Sequence, residues 1–218
     1  MICIASPAYE QVRGILREEI ISGVIPPNTH LTILDVATRF GVSHMPVREA
    51  FQWLQGEGLV RVLPHRGARV LSLTHKYVQD IYELRAVIAG LLARQSIDRM
   101  TPTTVERIEK IHKQFCKAAK LKNIKKMLSL NSTFHKEIYE LGRNQEAQKT
   151  YKFYADLLGT LRQRFGISEA RIKNMIMEHS EIIDALHARD GVQIEQAVRK
   201  HATGAMNDIL KHFNGKLL

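Results

Sequence analysis

The 218-residue chain has little proline (6), modest glycine (13) and few aromatics (6%). That scarcity leaves long spans rich in Leu, Ile, Ala, Lys, Arg and Glu. Such a composition belongs to helices and argues against an all-β fold. Cysteine is nearly missing: Cys3 and Cys116 are too few for a disulfide framework and lack metal-ligand spacing, so a reducing cytoplasm is the expected compartment. The longest apolar run, Ala86 to Ala93, is far too short to span a bilayer. The opening MICIASPAYE has neither the basic segment nor the long apolar segment of a secretion signal. No internal repeat or low-complexity tract is present. The expectation is a soluble cytoplasmic protein with no membrane partner, long enough for two domains.

The net charge is +10, which invites a nucleic-acid partner, but its placement matters more than its total. Residues 1–74 carry seven Arg and six acidic side chains, a net of +1, and residues 75–218 carry the other +9. Much of the latter sits on Lys110, Lys113, Lys117 and Lys120, a stripe offset from apolar Ile108, Ile111 and Phe115. It reads as the solvated face of a helix. In the N-terminal part, by contrast, Arg48, Arg61, Arg66 and Arg69 gather around one stretch, FGVSHMPVREAFQWLQGEGLV at residues 40–60.

Val12, Ile15, Leu16 and Ile20 recur at helical spacing within 9–22, and Gly23 with Pro26-Pro27 stops that helix. A second helix is predicted over about 33–40, ending at Gly41. Ser43 stands where it would cap a third, running to about Gln55, in which Pro46 is tolerable because first-turn N–H groups lack intrahelical partners. Alternating residues 59–63 and 68–71 flank Pro64-His65-Arg66-Gly67, the signature of a β-hairpin. From His75 onward only helices are predicted, at about 76–99, 103–120, 123–141, 145–165, 168–189 and 191–213. The expected fold is mainly α: a winged helix-turn-helix with a small β-hairpin over 1–74, and an all-helical bundle over 75–218.

In residues 33–52, Ala37 suits a close helix approach, Gly41 suits a turn, and Val36, Phe40, Val42, Val47 and Ala50 suit burial between two helices. This is the pattern of a helix-turn-helix. On the third helix Val47, Ala50, Phe51 and Leu54 form the inner face and leave His44, Met45, Arg48 and Gln52 outward. From a helix start those side chains can reach base edges in a major groove. The hairpin adds a wing with His65 and Arg66 at its tip, and Gly67 there would allow close approach to a DNA backbone. The plainer alternative is an α-hairpin bearing a surface Arg48.

VSHMPVREAFQWLQGEGLV followed by PHRGARV resembles the DNA-binding domain of the GntR superfamily of bacterial transcription regulators, over about residues 8–71. The resemblance implies that Arg48 contacts DNA and that His65, Arg66 and Gly67 belong to the wing. Two positions depart from the family pattern: His44 replaces an arginine, and Asn28 replaces a glycine. A neutral histidine cannot reproduce a bidentate arginine–guanine contact, so His44 bears on which operator is read. Glu49 is expected to orient Arg48 or cap a neighbour.

Three histidines fall on apolar helical stripes: His135, His179 and His201, each on a different predicted helix. A lone inward histidine is usually a satisfied core residue. Three on separate helices of one small bundle favour a shared metal, because each buried imidazole needs a partner. Asn131, one turn before His135, can join them. The segments YELR (82–85), NSTFH (131–135), EHSEIIDAL (178–186) and VRKHATG (198–204) resemble the helical FCD-type domain of the FadR-like branch of this superfamily. There, an Asp and three His hold a divalent metal below an effector pocket, and the effector is often a small carboxylate or sugar acid.

The resemblance carries over His135, His179 and His201 and puts Asn131 at the Asp position, which implies weaker binding or an extra water on the ion. Zinc or nickel is the expected metal. Arg85 is either an inward clamp for an effector carboxylate or part of a surface ion pair, and the glutamate the family places four residues later is Ala89. A metallohydrolase would need a general base, but no HExxH motif or spare inward carboxylate pair is seen, and Glu178 is expected to face away from His179. The reading is a homodimeric repressor that binds an inverted-repeat operator in double-stranded DNA and responds to an effector, not an enzyme.

Overall fold

The computed structural model describes residues 7–212 except Leu73; side chains of Asp156, Leu157, Thr160, Gln163, Arg164 and His212 are not described. Cys3 therefore lies outside the described residues. The chain divides into two compact units. One holds the residues up to Tyr77 with Phe153–Phe165, the other Val78–Lys152 and Gly166–His212.

In the first unit α1 (Ala8–Ser22) is closed by Gly23, whose φ of 79° is the left-handed value that favours glycine. Helix α2 (Ile33–Phe40) opens on Thr32, whose hydroxyl oxygen accepts from the Asp35 N–H at 3.1 Å and whose O–H donates to the Asp35 carboxylate at 2.7 Å. Helix α3 (His44–Gly56) follows Gly41 (φ 64°) and starts at Ser43. Ser43 holds the extended cap conformation but makes no side-chain cap bond, so it supplies the turn without the bond expected of it. Leu16, Val47, Ala50, Phe51, Leu54 and Leu59 close the core of this unit.

The expected hairpin is present as β2 (Val60–Leu63) and β3 (Gly67–Val70), but a third strand, β1 (His30–Leu31), pairs antiparallel with β3, giving the order β1-β3-β2. Two residues carry no readable alternation, so β1 left no trace in the sequence pattern.

The second unit contains α4 (His75–Ser96, from Val78), α5 (Pro102–Lys120), α6 (Ile124–Tyr139), the start of α7 (Gln145–Phe165), α8 (Glu169–Ala188) and α9 (Gly191–His212). Thr101, Asn123, Ser168 and Asp190 cap the starts of α5, α6, α8 and α9 through side-chain oxygens. Two predicted helices end early in 3₁₀ turns, at Ile97–Arg99 and Glu140–Gly142. Leu92, Ile108, Phe134, Ile138, Ile182, Leu186, Ile194 and Val198 pack one core, and Phe115, Met127, Leu130 and Met175 a second. Lys110, Lys113, Lys117 and Lys120 are all exposed, the solvated face expected of α5. Among the described residues no helix is long and apolar enough to cross a membrane.

Candidate metal centre and DNA-binding surface

Helices α6, α8 and α9 bring His135, His179 and His201 together, each at most 7% exposed, with one ring nitrogen from each within 4.8 Å of the others. Nε2 of His135 and Nε2 of His201 are 3.0 Å apart. Nδ1 of His135 lies 3.2 Å from the Tyr139 hydroxyl, and Nδ1 of His201 2.8 Å from the Glu178 carboxylate. Asn131 points its amide oxygen at Nε2 of His179 from 3.1 Å. The face of that ring stacks on Phe134 at 4.2 Å between centroids.

Burial drives His135 and His179 well below the usual histidine range. It lowers His201 too, where the hydrogen bond to Glu178 offsets part of the effect. Neutral imidazoles keep a lone pair for an ion. A tetrahedral centre with nitrogens about 2.0–2.1 Å from zinc sets those nitrogens about 3.3–3.4 Å apart, so the 3.0 Å between His135 and His201 needs little adjustment, while the wider separations of the cluster, up to 4.8 Å, have to close around an ion. The donor set of three imidazole nitrogens and one amide oxygen fits a divalent ion.

Glu178 and Arg85 each take a place beside this cluster. Glu178, expected to face away, is buried; it faces away from His179 but reaches His201. Its other oxygen takes a hydrogen bond from the buried Arg171 at 2.7 Å, so the carboxylate is occupied and not poised as a general base. Hydrogen bonds from His201 and Arg171 keep it below the usual carboxylate range, against the opposing effect of burial. Among the described residues Arg85 is in no ion pair. Its guanidinium lies 4.5 Å from the centre of the Tyr151 ring, donates to the Tyr151 hydroxyl at 2.5 Å, and has a buried Nε without a partner. Tyr151 packs on Tyr139, which reaches His135, so the cation joins the cluster through two aromatic rings.

A fourth imidazole, His112 on α5, stands 5.5 Å from the His179 ring. Nδ1 of each is buried without a hydrogen bond. His112 stands four residues after Ile108 and three before Phe115, on the apolar stripe of α5, so the helical spacing that marked the other three histidines could have marked it too.

In the first unit His44, Met45, Arg48 and Gln52 are exposed along α3, and His65 and Arg66 are exposed at the hairpin tip. Among the described residues nothing pairs with the Arg48 guanidinium, and Glu49 does not bond it, so the expected orienting role is not seen. Gly67 is buried with φ of 97°, and a Cβ there would lie 2.1 Å from the Leu31 carbonyl oxygen. The approach that Gly67 permits is therefore that of strand β1, not of a DNA backbone. His65 also holds a left-handed φ of 57°, and the ring of His30 reaches the Arg66 carbonyl at 2.5 Å, tying the tip to β1. Across the sheet Arg69 sits opposite both Arg61 and His30, all three exposed. Like charges directly opposite are destabilising on their own, and an anion across the row would offset that cost.

The architecture agrees with comparisons against known proteins. Residues 8–70 match the bacterial regulatory proteins of the gntR family, and residues 80–204 match the FCD domain. The chain belongs to the GntR family and carries an FCD domain. A curated relative of this GntR-family regulator is the Escherichia coli K12 HTH-type transcriptional repressor RspR, 29% identical over 89% of this chain and 86% of that protein. The gluconate operon transcriptional repressor of Bacillus subtilis is 30% identical over 60% of this chain and 51% of its own length. Among solved structures, E. coli McbR/YncC superposes with a TM-score of 0.67 at 16% identity, over 96% of this chain and all of that one, a likeness of fold. GntR-family regulators bind DNA and are not enzymes.

Proposed function

We propose that this GntR-family regulator is a ligand-responsive repressor. In this reading residues 1–74 bind double-stranded DNA at an inverted repeat, while 75–218 dimerise the chain and sense a small carboxylate or sugar acid. His44, Met45, Arg48 and Gln52 read the major groove, and His65, Arg66 and the Arg61–Arg69 row hold phosphates. A divalent ion, zinc or nickel, sits on His135, His179 and His201 with Asn131 as a weak fourth ligand. When bound, it supplies a fixed positive charge for an effector carboxylate, and Arg85 offers the second cation.

The observation that carries the sensing half is the convergence of three buried imidazoles within 4.8 Å. A relative named for the gluconate operon supports a sugar acid. An exposed apolar row on α4, Leu84, Val87 and Leu91, supports a second copy as partner. One observation favours a metal-free sensor: the His135–His201 and His179–Asn131 contacts are themselves of hydrogen-bond length.

Metal analysis of the purified chain at neutral pH separates the two, with about one ion per chain expected. Selection from random duplexes tests the DNA half. An inverted repeat is expected to emerge, its preferred bases are expected to change in His44→Arg, and no sequence preference would refute the regulator reading. Release of the selected duplex by one member of a panel of sugar acids and small carboxylates is the expected sensing result.

A further inference from the structure

Arg171 on α8 is 3% exposed and Glu178, two turns later, 7% exposed. Their ion pair is 2.7 Å long, from Nη1 to Oε1. The second carboxylate oxygen, Oε2, lies 2.8 Å from Nδ1 of His201, and Nη2 of Arg171 donates to the His201 carbonyl oxygen at 3.0 Å. On α9, one turn beyond His201, stands Gly204, where a Cβ would lie 2.7 Å from Nη1 of Arg171 and 2.8 Å from Oε1 of Glu178. The glycine leaves the space that the ion pair fills. A buried ion pair seldom stabilises a protein more than packed apolar side chains would, so one placed directly behind a histidine of the cluster calls for another reason.

The cluster supplies it. Asn131 and three neutral imidazoles offer an ion four donors and no charge. A carboxylate bonded to the far nitrogen of a ligating histidine fixes its tautomer and orientation and makes it a stronger donor. With Oε1 tied to Arg171, Glu178 cannot swing round to become a ligand and stays behind the ring.

We propose that Glu178 is a positioning residue that supplies, through His201, the negative charge that position 131 lacks. It holds Nδ1–H of His201 so that Nε2 faces the ion, and Arg171 and Gly204 keep the carboxylate in place. The proposal rests on the metal reading above and adds to it a division of labour: the donor atoms lie on one side of His201 and the charge on the other.

Zinc competition against a chromophoric chelator, on the purified full-length chain, tests it, with the visible spectrum of the cobalt(II) form and the melting temperature of the metal-free form recorded alongside. Glu178→Gln is expected to weaken zinc binding about 10- to 100-fold and to shift the cobalt bands. Adding Asn131→Asp to that variant is expected to recover most of the loss, because it returns a carboxylate to the site from α6. A packing fault around Arg171 would not be mended from there. Should Glu178→Gln fail to fold, Gly204→Ala pushes on the same carboxylate with both charges kept, and about a tenfold loss is expected. Wild-type zinc affinity in whichever of these folds, or a loss in Glu178→Gln that Asn131→Asp leaves unrepaired, would overturn the proposal. A wild-type chain that takes up no zinc at all would overturn the metal reading itself, which is a different result.

Discussion

The winged helix and the helical bundle treat charge in opposite ways. On the first, Arg48 is exposed with no described partner, and Arg61 faces Arg69 across two strands. In the second, Arg171 is buried against Glu178, which also engages His201, and three imidazoles are kept neutral by burial. A surface that must meet a large anion arriving from solvent keeps its cations unspent. A site that must hold a small ion assembles its donors beforehand, and there the Glu178 carboxylate is tied to Arg171. The difference separates recognition by attraction from recognition by preorganisation.

Breaking the preorganised side has the largest effect. Arg171→Met leaves Glu178 buried without its cation and is expected to destabilise the bundle by about 3–5 kcal/mol, read by denaturant melts of the metal-free chain. On the other side the comparable fault is steric. Gly67→Ala places a Cβ against the Leu31 carbonyl at a positive φ, costs about 3 kcal/mol, and is expected to abolish DNA binding with β1 displaced.

Removing an unspent charge should do the reverse of removing a tied one. Arg48→Ala is expected to leave the melting temperature unchanged and to cost about 1–3 kcal/mol of specific DNA affinity. An equal loss on random duplex would reassign Arg48 from a base to a phosphate. The smallest effect belongs to a pair between these extremes, Arg39 with Glu19, which is partly exposed. The hydrogen bond from Arg39 holds the Glu19 carboxyl below its usual range. Its contribution is therefore complete above the unfolded carboxylate value and is lost as the pH falls through the lower folded one. Arg39→Gln should flatten that acid limb of the stability curve by no more than about 0.5 kcal/mol.

Much of the recognition surface was readable because its signals are local. The Gly41 turn, the inner stripe Val47-Ala50-Phe51-Leu54 and the Gly67-tipped hairpin each need only a few neighbouring residues. The three histidines were readable because an apolar stripe implies an inward face. Apart from His112, which the stripe of α5 already marks, what escaped depends on contacts distant in sequence. Glu178 follows the helix period correctly in turning from His179, yet α9 lies on the side to which it turns, so both flanks of α8 are interior. Gly67 was assigned to DNA because its real neighbour, the two-residue strand β1, has no pattern of its own. Ser43 has the residue type and place of a cap without the bond, and Arg189, with φ 52° and bonds to the Ile97 and Met100 carbonyls, closes α8 where glycine is commoner.

The facing arginines have a consequence for the ionic surroundings. Arg61 and Arg69 are held in register by the ladder of the sheet whether or not a ligand is present. Dissolved salt screens their repulsion and so favours the unbound protein. The same salt diminishes the gain from releasing the cations condensed on a duplex, which alone gives a slope of about −0.9 in log affinity against log salt for each phosphate neutralised. Both effects act in one direction. A duplex seated on this row should therefore respond to ionic strength more steeply than its phosphate contacts account for.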